Sequence, residues 1–204
     1  MDSGSWGEER TIIPPEVLKL SAAFPFGNWY NFEQQLDVIF EYLPPEPRAW
    51  SLCETYIEQA SWGFRPIKRD ELIEDVLSPI YKAVKLKNAS QCFDHLKLSP
   101  HKFAVLFAVF GSGALVDLTL EPCECYLSGL SLHISVRPIV SKEAEIYHHV
   151  ARACLSLRSV FDSPDICTVQ AVLLLAKYAS DMGGMRYTMH SSVSLAWSIA
   201  CLYT

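Results

Sequence analysis

The apolar run at residues 103–116, FAVLFAVFGSGALV, constrains the fold of this chain more than any other segment. It contains no charged side chain, and Asp117 ends it. A membrane-spanning helix needs about 20 apolar residues, so the run is too short to cross a bilayer. Ser99 and Pro100 precede it, a pair typical of an N-cap followed by proline at the first helical position. The sequence therefore predicts a helix over 100–118 that is buried in a protein core.

Four further segments place apolar side chains at helical spacing. Asn31 with Gln34 resembles a helix-capping pair, and PPEP at 44–47 ends one helix and begins the next. The four apolar stripes are Phe32, Leu36, Ile39, Phe40 and Leu43; Trp50, Cys53, Tyr56, Ile57 and Ala60; Leu72, Ile73, Val76, Leu77, Ile80 and Val84; and Ile146, Val150, Ala153, Cys154, Leu157 and Phe161. This pattern predicts amphipathic helices around one core, which is an all-α, multi-helix fold.

The segment 163–180, SPDICTVQAVLLLAKYAS, carries apolar residues on two helical faces. Ser163 is the predicted N-cap, Pro164 fits the first turn, and Asp165 suits the positive end of the helix dipole. A helix with two apolar faces packs between neighbours, so we expect this one to be the central helix. DMGGMR ends it, and a last helix is predicted over 187–203.

Two segments depart from the helical pattern. Residues 1–30 contain PP and FPFGN and are predicted to be a flexible or loosely docked N-terminal arm. Residues 130–137, LSLHISVR, alternate apolar and polar side chains, which is a strand signal. A strand needs a partner, and none is clear nearby. The alternatives are a weak hairpin with 123–128 and a loosely held insertion.

Charge and composition exclude some classes of function. The 204 residues suit one domain or part of a larger protein, and half of them are hydrophobic. A net charge of −6 makes the chain a poor nucleic-acid binder by itself. The basic cluster Lys82, Lys85, Lys87, Lys97 and Lys102 is interpreted as a solvated face. The first ten residues lack the apolar core of a signal peptide.

The seven cysteines follow no metal-binding or disulfide framework. No Cys-x-x-Cys pair occurs, and Cys123 with Cys125 is the only close pair. The thiols at helical apolar positions are Cys53, Cys154, Cys167 and Cys201. They favour reduced structural thiols in an intracellular protein over disulfides or zinc ligands.

Tests for catalytic motifs are negative. GSGALV at 111–116 fails as a dinucleotide loop because Val116 stands at the third position and no strand precedes it. Its small residues instead predict a close approach of helices. His148 and His149 are adjacent, so their side chains point about 100° apart and cannot easily share a metal; they are predicted to lie at the surface. We expect no active site and no enzymatic activity.

Three blocks of sequence, at 47–81, 101–122 and 143–180, resemble a known family. The strongest part is YHHVARACLSLRSVFDSPDICTVQAVLLLAKY, followed by RYTM and AWSIA. Over residues 31–200 the chain resembles the fungal transcription factor regulatory domain, the middle homology region of binuclear zinc-cluster factors, in its xylanolytic-activator-like form. The resemblance implies an all-α domain in the nucleus that lies downstream of a DNA-binding zinc cluster and regulates transcription.

The chain departs from that family in three places. The zinc cluster is absent here, so zinc is a cofactor of full-length members and DNA contact would run through a cluster outside this chain. The family continues past the AWS helix, so we expect residues 31–204 to be a domain that is incomplete at its C-terminus. Residues 122–142 separate two blocks that directly follow each other in the family. We interpret them as an irregular or weak β insertion that comes from an unspliced intron or a gene-model error.

The resemblance implies that the chain acts through contacts with other transcription factor domains, co-regulators or a second copy of the chain, or through an inducer bound in a pocket. Because the apolar runs are too short to span a bilayer, we expect no contact with membranes. The candidates for an inner or ligand-lining surface are Trp50, Tyr56, Trp62, Phe64 and Arg65. Core packing, with a salt-bridged interhelical loop at 61–70, explains these residues equally well. The alternatives are a helical small-molecule-binding protein or enzyme of another class, and a dominant-negative fragment.

Overall fold

Seven α-helices form the part of the chain that the computed structural model describes, which is residues 13–26, 35, 38–85, 99–117, 142–161 and 164–182. They are α1 Pro15–Ala23, α2 Glu46–Thr55, α3 Arg69–Glu71, α4 Ser78–Lys85, α5 Pro100–Val116, α6 Lys142–Leu157 and α7 Ile166–Asp181. No strand occurs among these residues, and residues 38–40 are also helical. The predicted all-α fold is confirmed.

Two π-helical segments extend the shorter helices. Tyr56–Ala60 continues α2, and Leu72–Leu77 joins α3 to α4. The first ends where the Ser61 amide donates to the Tyr56 carbonyl at 2.9 Å, five residues back. The predicted helices around 46–60 and 69–85 are thus present as two nearly continuous units that flank residues 61–68.

Helix α5 is the centre of the core. It contacts α2, both π-helical segments, α6 and α7, and fourteen of its seventeen residues are buried. The prediction that 163–180 forms the central helix is wrong. In α7, Ile166 is 62% exposed, and Val169 and Leu173 are half-buried, so part of one apolar face lies at the surface. A helix is enclosed when it is apolar on nearly all sides, and among the described helices α5 comes nearest to that condition.

Glycines let the neighbours of α5 approach closely. A Cβ on Gly113 would clash with the backbone of Leu52 in α2. A Cβ on Gly111 would lie 3.4 Å from the Ala144 carbonyl oxygen in α6. The predicted role of the small residues at 111–116 is confirmed.

Side-chain caps fix the N-termini of the two most apolar helices. Ser99 accepts a hydrogen bond from the His101 amide at 3.1 Å, as the predicted cap of α5 requires. At α7 the N-cap is Asp165, not the predicted Ser163, which lies outside the described residues. Asp165 accepts from the Thr168 amide at 2.8 Å, and the Thr168 hydroxyl accepts from the Asp165 amide at 2.9 Å. This reciprocal pair satisfies two amides at once, so the helix begins after Asp165.

The N-terminal region differs from the predicted flexible arm over residues 15–23. Pro15 stands in the first turn of α1, and the helix packs on α6 with Val17 completely buried. Ser21 adds a hydrogen bond to His149 at 3.0 Å. Burial of Val17 and this hydrogen bond hold α1 in place. The spacing of apolar residues in LKLSAAF is the sequence pattern that could have predicted this helix.

Several predictions fall on residues outside the described ranges. They are the Asn31–Gln34 cap, the weak strand and the insertion at 122–142 up to residue 141, the thiols Cys123, Cys125 and Cys201, and the helix at 187–203. Within the described ranges, no helix is both long and apolar enough to cross a bilayer.

Candidate functional site

The five candidate residues do not share one inner surface. Only Tyr56 lies in the core, at 2% exposure. Trp50, Phe64 and Trp62 are 36%, 42% and 87% exposed, and Arg65 is also exposed. The structure therefore separates them into a buried tyrosine, a tryptophan beside a cleft, and an exposed loop.

Tyr56 is a packing residue with an unusual hydroxyl. That hydroxyl is buried and has no hydrogen-bond partner in the described part of the chain. Burial raises the pKa of Tyr56 to about 12, although the positive charge of Arg65 works in the opposite direction. The phenol is therefore neutral at physiological pH.

The loop at residues 61–68, which we call the aromatic loop, is anchored at both ends. At its start, Arg65 donates to the Ser61 hydroxyl at 2.9 Å and to the Ile57 carbonyl at 3.0 Å. At its end, Ile67 is buried, and Gln170 of α7 donates to the Pro66 carbonyl at 3.3 Å.

Trp62 and Phe64 lie between these anchors and face solvent. A hydrogen-bonded loop that exposes two aromatic rings loses little conformational entropy when a partner covers them.

A cleft of about 130 Å³ lies beside Trp50, between the start of α2 and the region around α4. Its lining residues are Glu46, Trp50, Leu77, Ser78, Tyr81, Lys82 and Lys85. We call it the Trp50 cleft. Lys85 pairs with Glu46 at 2.7 Å across the cleft, which joins the C-terminal end of α4 to the N-terminal end of α2.

A cluster of serine, histidine, threonine and aspartate joins α5 to α7. The Ser99 hydroxyl donates to Asp165 at 3.1 Å, and His101 Nδ1 lies 2.6 Å from the Thr168 hydroxyl. His101 Nε2 lies 3.2 Å from the Arg158 carbonyl, which can only accept, so this nitrogen carries a proton.

The same residue types form the catalytic triad of many hydrolases, but here their hydrogen bonds cap helices. His101 and Thr168 are completely buried, and Ser99 donates to the carboxylate instead of to the imidazole. Burial raises the pKa of Asp165, but the nearby His101 ring, 3.7 Å away, and hydrogen bonds from Thr168 outweigh it and hold that pKa well below its usual range. The cluster therefore contains an ionised cap, and its histidine and threonine are enclosed in the core.

The prediction of surface histidines holds only in part for His148 and His149, which are half-buried. The His148 ring stacks on Tyr178 of α7, with centroids 4.4 Å apart, and its Nδ1 is buried with no partner in the described ranges. Burial lowers the pKa of His148 to about 3, and the charge of Arg152 adds to the effect. His149 bonds Ser21 of α1, so the pair packs α6 against two neighbours and is neutral at physiological pH.

Sequence reasoning also missed Arg48, whose guanidinium joins three elements. It contacts Asp117 at the end of α5 and Glu143 at the start of α6, at 2.7 Å each. The Tyr147 hydroxyl donates to the same Glu143 at 3.0 Å. These partners lie far apart in the sequence, so only the packing of α2 against the α5–α6 pair brings them together.

The predicted burial of the cysteine side chains is confirmed for three of them. Cys53, Cys154 and Cys167 are free and buried. Burial raises the pKa of all three, to about 12 for Cys53 and Cys167. Within the described ranges, no group of three histidine, cysteine or acidic side chains could hold a metal ion.

A scan of the sequence against protein-family models found no match, and searches of curated proteins and of solved structures likewise found none. The resemblance to the fungal regulatory domain therefore stays a prediction.

Proposed function

We propose that this chain is a regulatory domain of a fungal transcription factor, which controls transcription through contacts of the aromatic loop with other domains or co-regulators. The observation that carries the proposal is the exposure of Trp62 and Phe64 between two anchored ends. On this proposal the protein works in the nucleus, and DNA binding belongs to a zinc cluster outside the chain.

The composition of the aromatic loop supports a protein partner. Tryptophan, tyrosine and arginine dominate the energetics of protein interfaces, and Trp62, Phe64 and Arg65 follow one another closely. Exposed large aromatic rings lose contact with water when a partner covers them, which favours association. Both flanking helical units contain π-helical segments, a feature that is frequent at functional sites.

The Trp50 cleft favours a second candidate, a helical protein that binds a small molecule. The two candidates are compatible, because a regulatory domain can both bind an inducer and contact a partner. The buried polar groups favour regulation over catalysis, since the His101 and His148 contacts stabilise helix caps and helix packing.

A reporter assay tests the proposal. The full 204-residue chain is placed between a heterologous DNA-binding domain and an activation domain in a fungal host. We expect the chain to change reporter output, and Trp62→Ala with Phe64→Ala to abolish the change at equal protein level. Phe26→Ala is the matched control, since Phe26 is 73% exposed and lies outside the aromatic loop. A chain without effect, or equal effects of loop and control variants, would contradict the proposal.

A further inference from the structure

The Trp50 cleft combines an apolar interior with charged side chains at its edge. Leu77 and Tyr81 are buried at 1% and 7% exposure, and the ring of Trp50 is 36% exposed beside them. The Tyr81 hydroxyl donates to the Pro44 carbonyl at 2.5 Å, so this tyrosine offers its ring and not its hydroxyl to the cleft. A flat apolar group could therefore lie against the Trp50 indole, because aromatic rings favour offset stacking.

The positively charged side chains that line the cleft outnumber the negatively charged ones. Two ammonium groups, on Lys82 and Lys85, stand against one carboxylate, on Glu46. Lys85 is already paired with Glu46 at 2.7 Å. Lys82 is exposed and Ser78 is half-buried. Neither the Lys82 ammonium nor the Ser78 hydroxyl makes a hydrogen bond or ion pair with another described residue. One positive charge and one neutral hydroxyl are thus available to a ligand.

We propose that the Trp50 cleft binds a small aromatic carboxylate. The aromatic ring lies against the Trp50 indole, and the carboxylate accepts hydrogen bonds from the Lys82 ammonium and the Ser78 hydroxyl. One unpaired ammonium matches a single negative charge, and a volume of about 130 Å³ suits a ligand with one small ring. This inference rests on the proposed regulatory function and names the class of effector that the domain senses.

The exposure of Lys82 sets the expected strength of binding. An ammonium in contact with water is screened, so the ion pair with the ligand is weak and depends on salt. We expect benzoate to bind with a Kd in the range of about 0.1 to 1 mM and to weaken as the salt concentration rises.

The test titrates the full chain with benzoate and follows the indole NH signals of its tryptophans by NMR. We expect the Trp50 signal to shift while that of Trp62 stays in place. Benzamide has the same ring without the charge, and acetate has the charge without the ring, so both should bind far more weakly. If either binds as tightly as benzoate, or Trp50 does not respond, the proposal is overturned.

Three substitutions separate a binding role from a structural one. Lys82→Ala should weaken benzoate binding about five- to tenfold. Lys19→Ala removes the same charge from an exposed position in α1, which contributes no residue to the cleft, and should change nothing. Glu46→Gln removes the competing carboxylate and should tighten binding about two- to threefold, a gain that loss of structure does not produce. Equal effects of Lys82→Ala and Lys19→Ala, or weaker binding by Glu46→Gln, would overturn the proposal.

The outcome is independent of the test of the proposed function. If the aromatic loop controls the reporter but benzoate does not bind, the effector class is wrong and the regulatory function stands. If benzoate binds at Trp50 but the chain has no effect on the reporter, the site stands and the regulatory function is wrong.

Discussion

Helix α5 and the aromatic loop are both rich in aromatic residues, yet the fold treats them in opposite ways. Phe103, Phe107 and Phe110 of α5 are completely buried, whereas Trp62 and Phe64 face solvent. In α5 the helical period directs apolar residues to neighbours on all sides. In the loop no period applies, and the hydrogen bonds of Arg65 hold the backbone instead of the rings. Aromatic content alone therefore does not distinguish a folding core from an exposed loop.

The largest loss of stability is expected for a substitution in α5, the buried region of the two. Phe107 contacts Phe110 and Tyr147, with ring centroids 5.9 and 6.0 Å apart. Phe107→Ala should lower the free energy of unfolding by about 3 to 5 kcal/mol, since it leaves a cavity among fixed neighbours. Phe64→Ala, measured by the same urea titration, should cost below about 1 kcal/mol. Comparable losses would remove the distinction between the two regions.

Substitutions of two glycines, one in each region, test the same difference, because only one of the two glycines lies against a neighbouring backbone. Gly113→Ala forces a methyl group into the Leu52 backbone and should destabilise the protein by about 1 to 3 kcal/mol, because neither helix can shift freely. Gly63 in the aromatic loop has no atom within 4 Å of an added Cβ, so Gly63→Ala should change stability by less than about 0.5 kcal/mol. Thermal melts of both variants measure the difference, and a tolerated Gly113→Ala would contradict the close packing of α2 on α5.

The stability of the core should depend on pH through His148. Its pKa is lowered to about 3 in the folded protein, so the unfolded chain binds a proton first as the pH falls below about 6.5. Stability is therefore full above that pH and decreases toward pH 3, by up to about 1.4 kcal/mol per pH unit. Burial lowers the pKa of His149 as well, which acts in the same direction.

Urea titrations at about pH 7 and pH 5 measure this loss, which should reach about 2 kcal/mol. His148→Phe keeps a ring against Tyr178 but cannot titrate, so the loss should shrink in that variant. An unchanged pH dependence would show that other groups cause it.

A smaller effect is expected at the cap that joins α5 to α7. Thr168→Val keeps the shape of the side chain but removes the hydroxyl that the Asp165 amide and His101 contact. The cost should be about 1 to 2 kcal/mol, because a buried polar group is left unpaired. Thr168→Ser retains the hydroxyl and serves as the control; a Val variant as stable as the Ser variant would contradict the cap.

The sequence predicted most of the helices because burial follows the helical period. It predicted the Ser99 cap, the close approach at Gly113 and the buried thiols for the same local reasons. It placed the α7 cap at Ser163 because serine, proline and aspartate all favour a helix start, and only the reciprocal bond with Thr168 selects Asp165.

What the sequence could not predict depends on distant contacts. Arg48 finds its two carboxylates only after α2, α5 and α6 have packed. The exposure of Trp62 also has no sequence signal, because loops follow no apolar period. The sequence therefore named the five candidate residues but could not predict that Tyr56 is buried while Trp62, Phe64 and Arg65 are exposed.

The free energy of unfolding of Trp62→Ala tests the central claim most directly. Trp62 is 87% exposed, so the variant should be as stable as the parent chain within about 0.5 kcal/mol. A loss of about 3 kcal/mol or more, as expected for Phe107→Ala, would show that Trp62 belongs to the core and that the aromatic loop is not a free surface for partners.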